Sequence, residues 1–250
     1  MEKRGAGAYI AEFIGTFALV TTIILAASMY ALSGNELPKG LSFPFIAAAH
    51  VLILLMIIQT LGPISGANFN PAISISLAAI KRISWLTALM YTMVQILGAI
   101  CAALFAYVVI QKQADAVSYA ATTVNFKEIN VGSAFTLELL ATFFLTWAVV
   151  GTAVSDKGDK TWAPFTIAMT LGLGVLLIAP LTGAGINPAR SIGPALVSGE
   201  WGSASDFLLV YVAGPIVGAL IAAFAYAGLY IEKSNEAPAA DDNDELSLSL

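Results

Sequence analysis

The tripeptide Asn-Pro-Ala occurs twice, at Asn70-Pro71-Ala72 and Asn187-Pro188-Ala189, each time after a Gly-containing approach and before a short apolar stretch. A proline in the first helical position has its φ already set and lacks an N–H that would be unpaired there. An asparagine just before it is a good N-cap, its side-chain oxygen accepting from the first turn. Each triplet therefore predicts the start of a helix, with the Asn amide N–H group left to face something else. The apolar continuation from Pro71 ends at Lys81-Arg82, only about ten residues on, whereas a bilayer needs about 20. A re-entrant half-helix fits that length.

The surroundings demand a membrane. Hydrophobic residues make up 58% of the 250-residue chain and charged residues only 11%, against about 25% charged in a soluble domain. Six longer apolar stretches are predicted to span, at about 8–32, 43–61, 85–110, 132–154, 162–181 and 207–231. The first of these is too long for a signal-peptide core, so it is expected to be retained. Cys101 has no partner for an intramolecular disulfide. No basic stripe suggests nucleic acid, and nothing suggests a metal or cofactor. The segment 232–250 is acidic (Asp241, Asp242, Asp244 and Glu245) and reads as a disordered tail after a single channel domain, 1–231.

The two halves correspond. Glu12 with Thr16-Phe17 parallels Glu138 with Thr142-Phe143, and Gly98-Ala99 parallels Gly218-Ala219. Repeat one covers about 8–110 and repeat two about 132–231. With three spans per half, the second copy must enter the membrane from the opposite side. Such an inverted repeat places a transport site near the midplane, where the halves meet. An inward N-terminus puts Lys3, Arg4, Lys81, Arg82, Lys157, Lys160 and Lys233 on the cytoplasmic side, against Lys39, Lys112 and Lys127 outside. The positive-inside rule favours that orientation, with both termini cytoplasmic.

Two half-helices entering from opposite faces would meet N-terminus to N-terminus, each end carrying roughly half a positive charge. Arg190, three residues after Asn187, adds a full charge. Such a centre repels cations, while Asn70 and Asn187 offer donors to a neutral molecule. The alternative, two capped buried helices with no lumen, is hard to reconcile with two copies in register.

The segments Ser65-Gly66-Ala67-Asn68-Phe69-Asn70-Pro71-Ala72 and Thr182-Gly183-Ala184-Gly185-Ile186-Asn187-Pro188-Ala189-Arg190-Ser191, with the opening Ala11-Glu12-Phe13-Ile14-Gly15-Thr16-Phe17, resemble the signatures of the major intrinsic protein family, the aquaporins. The resemblance spans about residues 6 to 231. It implies an all-α integral membrane protein: a right-handed bundle of six transmembrane helices plus two re-entrant half-helices. It also implies a homotetramer with one pore per subunit, and a selectivity filter at His50, Val175, Ala184 and Arg190. A lone histidine in a span is more often a packed core residue; the family position, 20 residues before Asn70, favours the filter. The first-half counterpart of Arg190 is Ile73, so one end of the pore carries the charge, and that end is expected outside.

Small Val175 and Ala184 should widen the filter, and the set resembles that of plant vacuolar-type aquaporins. Ser191, where glycerol facilitators carry Asp, and Ala195 are water-channel-like; Tyr211-Val212 departs from the aromatic-Trp pair of many water channels. The family's frequent mercury-sensitive cysteine is absent at Ala184. Glu12 and Glu138, alternatively an acid/base pair, are expected to accept hydrogen bonds from the signature-loop backbones. The expected function is a passive channel for water, with ammonia or other small neutral solutes as added cargo. Alternatives are an ammonia, urea or glycerol facilitator, an ion-coupled transporter, or a closed junctional protein that tethers membranes. No enzymatic reading has support.

Overall fold

The computed structural model of the protein describes residues 5–33 and 42–231. The predicted acidic tail lies outside the described residues, as do Lys3, Arg4, Lys39 and Lys233. Nine helices make up the described chain: α1 (Ala6–Leu32), α2 (Ser42–Ser65), α3 (Pro71–Ala79), α4 (Trp85–Asp115), α5 (Val131–Ala148), α6 (Ala163–Thr182), α7 (Pro188–Ser198), α8 (Ala204–Phe207) and α9 (Gly214–Tyr230). A π-helical segment at Val149–Val154 extends α5, and another at Leu208–Ala213 joins α8 to α9. Six continuous helical stretches are thus long and apolar enough to cross a membrane. The helices α3 and α7, nine and eleven residues long, match the predicted half-helices.

The span boundaries shift where the side chains allow it. The helix α2 continues beyond the predicted Leu61 to Ser65, with Pro63 inside its last turn. The third span bends at Ile110 (φ −137°, ψ 39°), its predicted end, and then adds a further turn to Asp115. A tight turn at Ser118–Ala120 follows, with three successive residues at φ 47°, 54° and 56°.

Within the first half α1 packs on α2 and α4; within the second α5 packs on α6 and α9. The halves meet through α2 on α6, and each half-helix also reaches across, α3 to α9 and α7 to α4. Two glycines set the closest approaches. A Cβ at Gly98 would stand 2.6 Å from the Phe13 carbonyl oxygen, and one at Gly218 would collide with the Leu139 carbonyl oxygen. Equivalent positions in the repeats thus let α4 and α9 touch the backbones of α1 and α5. Side chains such as Leu86, Leu89, Met93, Leu97 and Val108 of α4 stay exposed, as a lipid-facing surface requires.

Candidate pore

Both triplets cap their helices as predicted. The Asn70 side-chain oxygen accepts from Ala72 N at 2.9 Å, and that of Asn187 from Ala189 N at 3.0 Å and Arg190 N at 3.3 Å. The amides, however, are not wholly free. Asn70 Nδ2 donates to the Ile186 carbonyl at 3.0 Å, and Asn187 Nδ2 to the Phe69 carbonyl at 2.8 Å. Each asparagine therefore uses one amide hydrogen to fasten the opposite loop, and an amide group has two. The second remains for the lumen, since both residues line the cavity between the half-helices.

The loops before the triplets are strained in the same way. Ala67 and Phe69 have φ of 51° and 47°, and Ala184 and Ile186 have 51° and 56°. Left-handed backbone costs a non-glycine residue roughly 1–2 kcal/mol, so each loop needs a firm holder. The buried carboxylates supply it. Glu12 Oε1 accepts from Ser65 Oγ (2.6 Å) and Asn68 N (2.9 Å), and Oε2 from Phe69 N (2.6 Å) and Gln95 Nε2 (2.8 Å). Glu138 Oε1 accepts from Thr182 Oγ1 (2.7 Å) and Gly185 N (2.8 Å), and Oε2 from Ile186 N (2.6 Å). Both carboxylates are fully buried, and charge-assisted bonds of this kind are the strong ones. Tyr91 and Tyr211 complete the cradles, donating to the Ser65 and Thr182 carbonyls at 2.8 and 2.7 Å. Aligning the halves would have paired these tyrosines from the sequence alone.

A narrow cavity of about 40 Å³ passes this centre. His50, Ala184 and Arg190 line it at one end, and Ile58, Val149 and Ile167 at the other. His50 Nδ1 lies 2.8 Å from the Ile46 carbonyl. A carbonyl can only accept, so Nδ1 carries the hydrogen and Nε2 is left as the ring's acceptor. Arg190, 5% exposed, donates from Nη1 to the Ala120 carbonyl at 2.7 Å. No sequence signal pointed to Ala120, because its contribution is a backbone oxygen brought over by the connection between the halves. Of the predicted filter residues, Val175 alone is not on the cavity wall; it is buried at 1% exposure, one turn beyond Leu171, which does line it.

The chain matches the Major intrinsic protein family over residues 2–226. It is 36% identical over 219 residues to a glycerol uptake facilitator protein-like 6 of Lactiplantibacillus plantarum, covering 86% of this chain and 94% of that one. It is 33% identical over 217 residues to Nodulin-26 of Glycine max, covering 87% and 75%. In fold it is similar to the aquaglyceroporin of Plasmodium falciparum, with TM-score 0.75 and 22% identity over 89% of this chain and 95% of that one. The two re-entrant helices, the facing asparagines and the buried arginine therefore belong to a channel. The chain is a member of the major intrinsic protein (aquaporin) family, whose proteins are passive channels and not enzymes.

Proposed function

We propose that this channel passes water together with small neutral solutes and excludes ions. The observation that carries this reading is the pair of half-helix N-termini tied to each other by Asn70 and Asn187, on a cavity that also holds Arg190. Positive helix ends and a guanidinium oppose cations. The second amide hydrogens of Asn70 and Asn187 serve as donors to an oxygen or nitrogen passing between them. Pro71, Ala72, Pro188 and Ala189 hold those asparagines at the helix starts. His50, Val175, Ala184 and Arg190 act as the filter. Glu12 and Glu138 anchor the loops.

A broader cargo has specific support. The residue lining the cavity at 184 is a small alanine, and the relatives include one named for glycerol uptake. Ion coupling does not suit Glu12 and Glu138, which accept four and three hydrogen bonds respectively and have little capacity left for a driving ion. The working unit is a homotetramer with a pore in each subunit. Residues 1–231 form one channel domain made of two inverted repeats. The termini face the cytoplasm, by the distribution of basic residues, so Arg190 guards the outer mouth.

The test is a parallel series of water, ammonia, urea and glycerol permeabilities on proteoliposomes of the purified chain. Fast water flux with measurable flux of at least one other solute is expected. Water permeability equal to that of bare liposomes would contradict the reading.

A further inference from the structure

Where α3 returns to the surface, the chain turns at Lys81-Arg82 before α4 begins at Trp85. The turn is closed by two backbone bonds, Lys81 N to the Ala78 carbonyl at 2.9 Å and Arg82 N to the Leu77 carbonyl at 2.8 Å. In this motif the first residue past the cap takes a left-handed backbone, and glycine is the usual choice. Here that residue is Lys81, at φ 63°. The other half-helix, α7, ends on a glycine in the same conformation, Gly199 at φ 78°. Closing the helix therefore does not account for a lysine at 81. A cation near a helix C-terminus offsets the dipole, but Arg82 in the next position already supplies one.

A groove of about 550 Å³ starts at this pair and runs against the end of α9. Lys81 and Arg82 lie on it, and Phe224, Ala227, Gly228 and Ile231 form an apolar wall. Both cations are exposed, and neither side chain makes a hydrogen bond or ion pair among the described residues. A Cβ at Gly228 would have no atom within 4 Å, and Phe224 is 56% exposed, so the wall is uncovered. Because the six spans cross alternately, α9 ends on the membrane face where α4 begins. Trp85 and Tyr230 are both exposed there, and such aromatic residues mark the headgroup level. Phe224 stands six residues back along α9 from Tyr230, about 9 Å deeper into the bilayer.

We infer that this groove binds an anionic phospholipid, its phosphate between Lys81 and Arg82 and an acyl chain along Phe224 and Gly228. Basic pockets between membrane helices take acidic headgroups in this way. The wall alone would accept any lipid chain, whereas the two cations favour a headgroup with net negative charge. A zwitterionic headgroup brings its own cation and gains less. A soluble anion would use the cations but nothing of the wall. The acidic residues Asp241, Asp242, Asp244 and Glu245 match the charge as well, but Phe224, on the bilayer side of the pair, calls for hydrocarbon.

The inference stands apart from what the pore carries. To test it, the full chain in detergent is titrated with phosphatidylglycerol and, separately, with phosphatidylcholine of the same acyl chains. Bound lipid is counted by native mass spectrometry, and thermal unfolding is followed in parallel. Phosphatidylglycerol should bind about tenfold or more tightly than phosphatidylcholine and raise the unfolding temperature. Arg82→Ala and Lys81→Gly should each weaken phosphatidylglycerol about fivefold and leave phosphatidylcholine unchanged. Lys81→Gly should also raise the unfolding temperature of the lipid-free protein, because glycine suits the left-handed position. Its loss of binding is then not a loss of fold. Gly228→Leu, which fills the groove without a clash, should weaken both lipids. Equal affinity for the two lipids, or unchanged phosphatidylglycerol affinity in well-folded Lys81→Gly and Arg82→Ala, would overturn the site. Inorganic phosphate that reproduced the whole unfolding shift would also overturn it, in favour of a soluble anion. So would a rise of about tenfold in phosphatidylglycerol affinity when Asp241, Asp242, Asp244 and Glu245 are changed to their amides, which would give the groove to the acidic segment.

Discussion

The two signature loops share a backbone course yet are supported differently. In the first, Ser74 Oγ accepts from Asn68 Nδ2 and Gln95 Nε2, both at 3.1 Å, and donates to the Asn70 carbonyl. In the second, Gly185 stands at the position of Asn68 and Pro215 at that of Gln95. Ser191, the counterpart of Ser74, has a buried Oγ with no partner among the described residues. Close packing replaces the hydrogen bonds there: a Cβ at Gly185 would stand 2.8 Å from both Ser191 Oγ and a Tyr211 ring carbon. The second loop also carries Arg190 in place of Ile73, gripped from outside by the Ala120 carbonyl. What the repeats keep in common is what the strained backbone demands: a carboxylate, a hydroxyl and a tyrosine. What they do not share follows the charge, which sits on one loop alone.

The largest effects should come from the shared cradles. Glu12→Ala removes an acceptor from four buried donors, of which Gln95 Nε2 keeps Ser74 Oγ, and Glu138→Ala from three, of which Thr182 Oγ1 keeps the Ile178 carbonyl. At about 1–3 kcal/mol per orphaned group, both variants should lose most of their folded yield, Glu12→Ala the more severely, as read by thermal unfolding in detergent. Equal tolerance of both changes would break the view that the carboxylates hold the loops. Next comes Arg190→Ile, which gives the second loop the residue type of the first. Cation leak measured on proteoliposomes should rise about tenfold or more while the protein stays folded. The smallest effects sharpen the contrast between the loops. Ser74→Ala should cost about 1–2 kcal/mol, because it strands the Asn68 amide while Gln95 Nε2 keeps its bond to Glu12, whereas Ser191→Ala should change stability by less than about 0.5 kcal/mol.

Local pattern made much of this legible in the sequence. The half-helices begin where proline and asparagine place them, and Glu12 and Glu138 could be singled out because a buried carboxylate at matching repeat positions needs many donors. Features set by distant chain segments could not be read. The cross-bonds of Asn70 and Asn187 reach carbonyls 116 and 118 residues away. The oxygen that holds Arg190 belongs to an alanine, whose side chain carries no signal. Val175 is buried one turn from Leu171 and is not among the residues lining the cavity, which its sequence position does not reveal. The π segments also left no trace, since Val149–Val154 reads as ordinary apolar helix.

The central claim is that the lumen between Asn70 and Asn187 conducts neutral molecules and not ions. Osmotic shrinkage of proteoliposomes, recorded over temperature alongside ion current across the same protein in planar bilayers, tests it most directly. Rapid water flow with an activation energy close to that of free diffusion, and no current above the lipid background, is the result expected. A steady ion current, or water flow with the temperature dependence of bare lipid, would contradict it.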